Sequence, residues 1–192
     1  SALAADGNAA MAILVTHVSA AAGAATWALV EWIRYGKPSA LGTVTGMVAG
    51  LGTITPASGF VGPGGALVIG VLAGFICFNA TNFIKRKLGI DDSLDVFPVH
   101  GVGGILGTLL AGIFASSALG VFSGQGFASP EITIGSQMLV QATGVLATMV
   151  YTAIVSYVLL KLVGMLVGLR VAPDEETVGL DLTLHNERGY DL

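Results

Sequence analysis

Residues 91 to 107 read DDSLDVFPVHGVGGILG. An acidic turn opens here onto an apolar run that continues to Ala115. From Val96 that run is long enough for a helix to cross the hydrocarbon of a bilayer, which takes about 20 residues. One titratable ring, His100, interrupts it one turn in. Asp95 is placed to cap the helix, and Pro98 is tolerated in a first turn. At helical spacing Val96, His100, Gly103, Gly104 and Gly107 share a face. That face carries a ring, one branched apolar group and then no side chains. Two readings follow. His100 is a structural histidine hydrogen-bonded to a neighbouring helix, or it lines a pore. Ionisable residues inside a membrane are expensive and mark functional sites by default.

The rest of the chain fits a membrane setting. Of 192 residues, 54% are hydrophobic and only 10% are charged, too few to cover a water-facing surface. Its 28 glycines suit helices that approach closely in lipid. Five apolar runs are long enough to be spans: Ala9 to Trp32, Ala40 to Ala57, Gly65 to Ile84, Val96 to Ala115 and Gly135 to Val167. The fifth, at about 50 Å, exceeds the bilayer core of about 30 Å and has to tilt or protrude. An all-α integral membrane protein with five transmembrane helices is therefore expected over residues 1–171, with a polar tail over residues 172–192.

Lys and Arg set the orientation. Arg34 and Lys37 fall between the first two runs, and Lys85, Arg86 and Lys87 between the third and fourth. Lys161, Arg170 and Arg188 fall near or beyond the end of the fifth. The two remaining loops carry no Lys or Arg, so all eight cations lie on one side. This places the N-terminus outside and the C-terminus in the cytoplasm of a multi-pass cell-membrane protein. No basic segment precedes the first run, so a processed terminus or a fragment is expected rather than a signal peptide.

Other polar groups have plainer readings. His17 is read as interhelical glue or as facing an outer vestibule, with glue favoured. Glu31 is an interfacial anchor or ion-pair partner. Thr55 closes the second run in GTITPASG, where a broken helix would free carbonyls beside a wet cavity; it is a pore candidate or a threonine bonded back to its own helix. The tail is either a disordered end or a docking segment. Cys77 has no cysteine to pair with. GPGG at 62 to 65 is a turn rather than a phosphate loop. Metal-spaced ligands and a nucleophile with its base are missing from the sequence, so an enzyme, a metal or a cofactor is not expected. The few charges sit in loops and tail, giving nucleic acid no surface.

Three stretches carry a family resemblance: DDSLDVFPVHGVGGILGTLLAGIFAS, EWIRYGKPSALGTVTGMVAGLGTITPASGFVGPGGALVIGVLAG and VGLRVAPDEETVGLDLTLHNERGYDL. Together they resemble the ammonium transporters of the Amt type, over essentially the whole chain. The resemblance implies an eleven-helix fold of two inverted five-helix repeats and a long last helix, with this chain matching spans seven to eleven, the C-terminal half. It implies a homotrimer with one pore per subunit, passing ammonium or ammonia between paired histidines. His100 matches the second-repeat histidine, Ser1 a vestibule serine, Val96 and Thr55 pore-lining positions, and Asp95 the acid one turn before the histidine. The resemblance places the partner histidine in the N-terminal half, outside the spans that these residues match. Such a pore favours neutral ammonia, because a charge at the bilayer centre costs several kcal/mol, roughly. The tail residues Asp181, Thr183 and Tyr190 match a regulatory motif, addressed by phosphorylation or by a PII-type signalling protein at the cytoplasmic face. An ammonium sensor signalling through that tail is the alternative function.

Overall fold

A computed structural model describes residues 4–189, and among them the chain is helical throughout, without a strand. It forms two compact units, Ser1–Val145 and Leu146–Leu192. In chain order the helices are α1 (Gly7–Tyr35), α2 (Ala40–Ile54), α3 (Pro63–Asn82), α4 (Gly103–Phe114), α5 (Ile134–Leu166), α6 (Pro173–Val178) and α7 (Leu180–Thr183). Two π-helical segments adjoin them. Phe83–Lys87 extends α3, and Phe97–Val102 leads into α4. The helical segments begin and end within three residues of the runs read from the sequence.

Among the described residues four helical segments are long and apolar enough to cross a membrane: Gly7–Tyr35, Pro63–Lys87, Phe97–Phe114 and Ile134–Leu166. The second run differs from expectation. Its helix has 15 residues, about 22 Å at the usual rise, short of a full hydrocarbon core. It stops at Ile54, and residues 55–60 turn instead. Within that turn Ala57 N–H donates to Ile54 O at 2.8 Å, and Phe60 N–H to Ala57 O at 2.8 Å.

Helices α1, α2 and α3 pack through small residues. Ser19, fully buried, donates its hydroxyl to Gly50 O across the α1–α2 interface at 2.9 Å. A methyl group on Gly74 would lie 2.6 Å from Gly23 O, so α3 touches α1 backbone to backbone. Such close approach is how helices associate where lipid removes the hydrophobic drive between them. Below this layer Trp27 meets Phe78 edge to face, with ring centroids 5.3 Å apart.

Glu31 closes the α1–α2 hairpin. Its carboxylate accepts from Ser39 N–H at 2.7 Å and from Trp27 Nε1 at 3.3 Å. Ser39 Oγ in turn accepts from Gly42 N–H at the start of α2. The acid thus supports a helix N-terminus, where negative charge is favourable. Among the described residues His17 makes no bond between helices; its Nδ1 lies 2.8 Å from Ile13 O, one turn back on its own helix. Ser19, two residues on, is the residue that bridges.

The second unit holds the rest of α5 with α6 and α7. Glu175 accepts from Ala172 N–H at 3.1 Å to start α6, and Arg170 pairs with Glu176 at 2.7 Å. The tail has local helical structure among its described residues.

Candidate functional site around His100

The loop before His100 is built by two carboxylates with different tasks. Asp92 caps the helix, accepting from Val96 N–H at 2.8 Å and Phe97 N–H at 2.9 Å. Asp95 does not cap it with its side chain. Its carboxylate faces Lys85 at 2.7 Å, tying the end of the α3 extension to the start of the next helix. Its backbone is left-handed, with φ 55, a conformation that Asp tolerates better than most residues. The sequence expectation for Asp95 as the cap is corrected on this point. A carboxylate three residues earlier reaches forward over the turn.

His100 sits inside the π-helical segment Phe97–Val102, with Pro98 in its first turn. Such i→i+5 segments inside α-helices are rare and occur frequently at functional sites. The wider turn changes which residues follow His100 around the helix. Gly103 and Gly107 are buried, whereas His100 is exposed. A methyl group on Gly103 would come 2.8 Å from Thr53 Oγ1 and 3.5 Å from Cys77 Sγ. Gly107 lies against the Thr53 carbonyl and Pro56. Gly104 alone of the three has open space at its Cβ position. The glycine face expected from α-helical spacing is therefore split. Gly103 and Gly107 seat the helix on α2 and α3, and Gly104 remains on the open side.

The exposed His100 ring lies beside α2. The Cβ position of Gly52 is 3.8 Å from His100 Nδ1 and 3.7 Å from Val99 O. Among the described residues none hydrogen-bonds the ring, so the reading of His100 as a histidine tied to a neighbouring helix finds no support here. Val96, four residues before it, is also exposed. Thr55 is exposed at the end of α2, three residues beyond Gly52, and its hydroxyl donates to Leu51 O at 2.8 Å. That is the back-bonded state open to it from sequence. Thr53 is the threonine that turns inward: its hydroxyl is fully buried, beside the Cys77 thiol and Gly103.

Thr183 and Asp181 belong to α7. Thr183 is exposed and donates to Gly179 O at 3.0 Å, while Asp181 O accepts from Glu187 N–H at 2.9 Å. Ser1 and Tyr190 lie outside the described residues. Gly52 is the residue that sequence reasoning missed; Thr53 stood with Thr55 and Pro56 at the close of the second run, without its inward role. A residue with no side chain ahead of that hydroxyl, GT at 52 and 53, was the available signal.

Closely packed apolar helices of membrane-crossing length define a polytopic membrane protein. The family model described as Ammonium Transporter Family matches residues 1–190, and the chain belongs to that family. It is 46% identical over 199 residues to a protein of Methanothermobacter thermautotrophicus named putative ammonium transporter, covering 100% of this chain and 47% of that protein. It is 42% identical to the ammonium transporter of Bacillus subtilis, over 99% of this chain and 46% of the relative. Among solved structures, Mep2 of Saccharomyces cerevisiae superposes with a TM-score of 0.75 at 35% identity, covering 87% of this chain and 38% of Mep2. A structure described as Sensor Amt Protein superposes with a TM-score of 0.82 at 29% identity, over 93% of this chain and 42% of the other. The chain spans about half the length of the curated relatives it matches.

Proposed function

We propose that this chain supplies half of a pathway for ammonium or ammonia across the cell membrane, with His100 as its contribution to a paired-histidine site. The observation that carries the reading is the His100 ring itself. It is exposed on a π-helical turn within an apolar, membrane-length helix, beside a glycine, with no hydrogen-bond partner among the described residues. A ring so placed needs a second surface to face. The matching half of the protein, bearing the other histidine, is the natural occupant, and a homotrimer of such subunits is the assembly. An imidazole pair can hydrogen-bond ammonia and carry its proton separately, because each ring offers both a donor and an acceptor nitrogen. An apolar pore excludes the bare cation by the cost of burying charge.

In this reading the shared end of α1 and α3 faces the cytoplasm, by the rule that Lys and Arg collect there. A PII-type protein or a phosphate on Thr183 would act on that side. The likeness to a structure described as a sensor, and the helices α6 and α7 in the tail, favour signalling through the tail as a second reading.

His100→Ala in the protein at its full natural length, reconstituted in liposomes, tests the proposal. Ammonium uptake is expected to fall or to lose discrimination against potassium, with the melting temperature retained. Wild-type uptake together with wild-type selectivity would make the ring structural.

A further inference from the structure

The ends of α1 and α3 form an open cleft of about 580 Å³ lined by Arg34, Tyr35, Asn79, Asn82, Phe83, Arg86 and Lys87. We infer that this cleft binds the phosphate of an anionic lipid headgroup.

Its side chains are arranged rather than merely collected. Asn79 accepts from Arg34 Nη2 at 2.8 Å and donates to Phe75 O at 2.7 Å. Asn82 accepts from Tyr35 Oη at 3.2 Å and donates to Phe78 O at 2.9 Å. Each amide is thus locked to α3 and holds one residue of α1 in place. The Arg34 guanidinium also lies over the Phe78 ring, 5.2 Å from its centroid. Arg86 lies over Tyr35 at 5.7 Å, and Lys87 over Phe83 at 5.9 Å. Aromatic faces and neutral amides orient these cations without neutralising them.

No carboxylate lines the cleft. Among the described residues the ion pairs are Lys85–Asp95 and Arg170–Glu176, which leave Arg34, Arg86 and Lys87 without an acidic partner. The competing account is that these cations only complement the two helix C-termini and set topology. Each terminus carries about −0.5 elementary charge. Three cations against two such ends leave about +2, more than the helices need. Topology by itself requires cations on one side, and neither their convergence on one cleft nor the asparagine locks.

Position selects the source of the phosphate. The cleft lies where two membrane-length segments end, at the depth of headgroups. Exposed Tyr35 and Phe83 line it, and exposed Trp32 lies one turn before the end of α1; Trp and Tyr are types that settle at that boundary. Basic pockets between spans on the cytoplasmic side bind such headgroups, and Arg matches a phosphate bidentately. A soluble phosphate would gain nothing from the aromatic rim, whereas a lipid glycerol and its first methylenes lie along it.

Native mass spectrometry on the protein at its full natural length tests this, with short-chain phosphatidylglycerol, phosphatidylcholine of equal chain length and inorganic phosphate as probes. Phosphatidylglycerol is expected to bind about tenfold or more tighter than phosphatidylcholine, and Arg86→Gln with Lys87→Gln to abolish that preference. Both side chains are exposed, so the double variant keeps the fold, which its melting temperature verifies. Arg86→Lys with Lys87→Arg, which keeps both charges, is expected to preserve the preference. Equal retention of the two lipids, or an unaffected preference in the neutral variant, overturns the inference. Inorganic phosphate displacing phosphatidylglycerol at equal concentration overturns the lipid assignment and leaves a soluble phosphate site.

Discussion

The Cβ position of Gly52 lies 3.8 Å from Nδ1 of His100, so α2 presents bare backbone to the ring. That spacing is ordinary van der Waals contact for one methyl group. Gly52→Ala is therefore expected to retain ammonium uptake close to wild type. Gly52→Leu is expected to crowd the ring and Val99 O, and overpacking of this kind costs about 1–3 kcal/mol. Uptake is expected to fall in the leucine variant by about tenfold, since 1.4 kcal/mol is one decade. Equal uptake by both variants would show that the ring does not depend on this contact.

The two carboxylates before the helix separate by mutation. Asp92→Ala removes the acceptor for Val96 and Phe97 N–H, and losing a cap costs about 0.5–2 kcal/mol. Faster amide exchange at Val96 and Phe97 is expected, with a lower melting temperature. Asp95→Ala breaks the pair with Lys85 and leaves those two amides protected. If instead Asp95→Ala exposes them and Asp92→Ala does not, the capping role belongs to Asp95 after all.

How much of this was readable in advance depended on the kind of signal. The apolar runs fixed where helices begin and end, because the sequence changes abruptly at EWIRYGKP, KRK and DDSLD. The family resemblance rested on local motifs and agrees with the comparisons. The short α2 was harder to see. Its run stays apolar through Ala57, and only Pro56 hints that residues 55–60 turn. Around His100 the failure was one of period. An α-helical count put Gly103, Gly104 and Gly107 on one face, but the π-helical segment inserts a wider turn just before them. No residue type announces a π segment, so the split between buried Gly103 and open Gly104 needed coordinates. Of the two readings of Glu31, anchor or ion-pair partner, the ion pair is not formed among the described residues: the carboxylate is taken by Ser39 and Trp27.

Thr183 offers a test of the tail. Its hydroxyl donates to Gly179 O, closing the single turn of α7. A phosphate there removes that donor and adds about −1.5 to −2 charge beside Asp181. Thr183→Asp is expected to speed amide exchange at Thr183 and Leu184 and to lower ammonium uptake in the protein at full natural length. Unaltered exchange with unaltered uptake would leave the turn without a regulatory part.

Completeness is the remaining prediction. His100, Val96 and Phe97 are exposed on a helix of membrane-crossing length, and α5 has no buried residue along its 33 positions. An apolar α5 can face lipid at no penalty. An imidazole cannot, because in hydrocarbon its ring nitrogens lose water without gaining a partner, at a cost of a few kcal/mol, roughly. Residues 1–192 alone are therefore expected either to associate so as to cover His100 or to admit water beside it, and in neither case to form a selective pathway. Liposomes containing only this chain should carry no ammonium-dependent current. Adding the polypeptide that supplies the other half of the family fold should restore it. A selective current from the chain alone would mean that copies of it complete the site for each other, and the paired-histidine reading would then have to be rebuilt from two His100 rings.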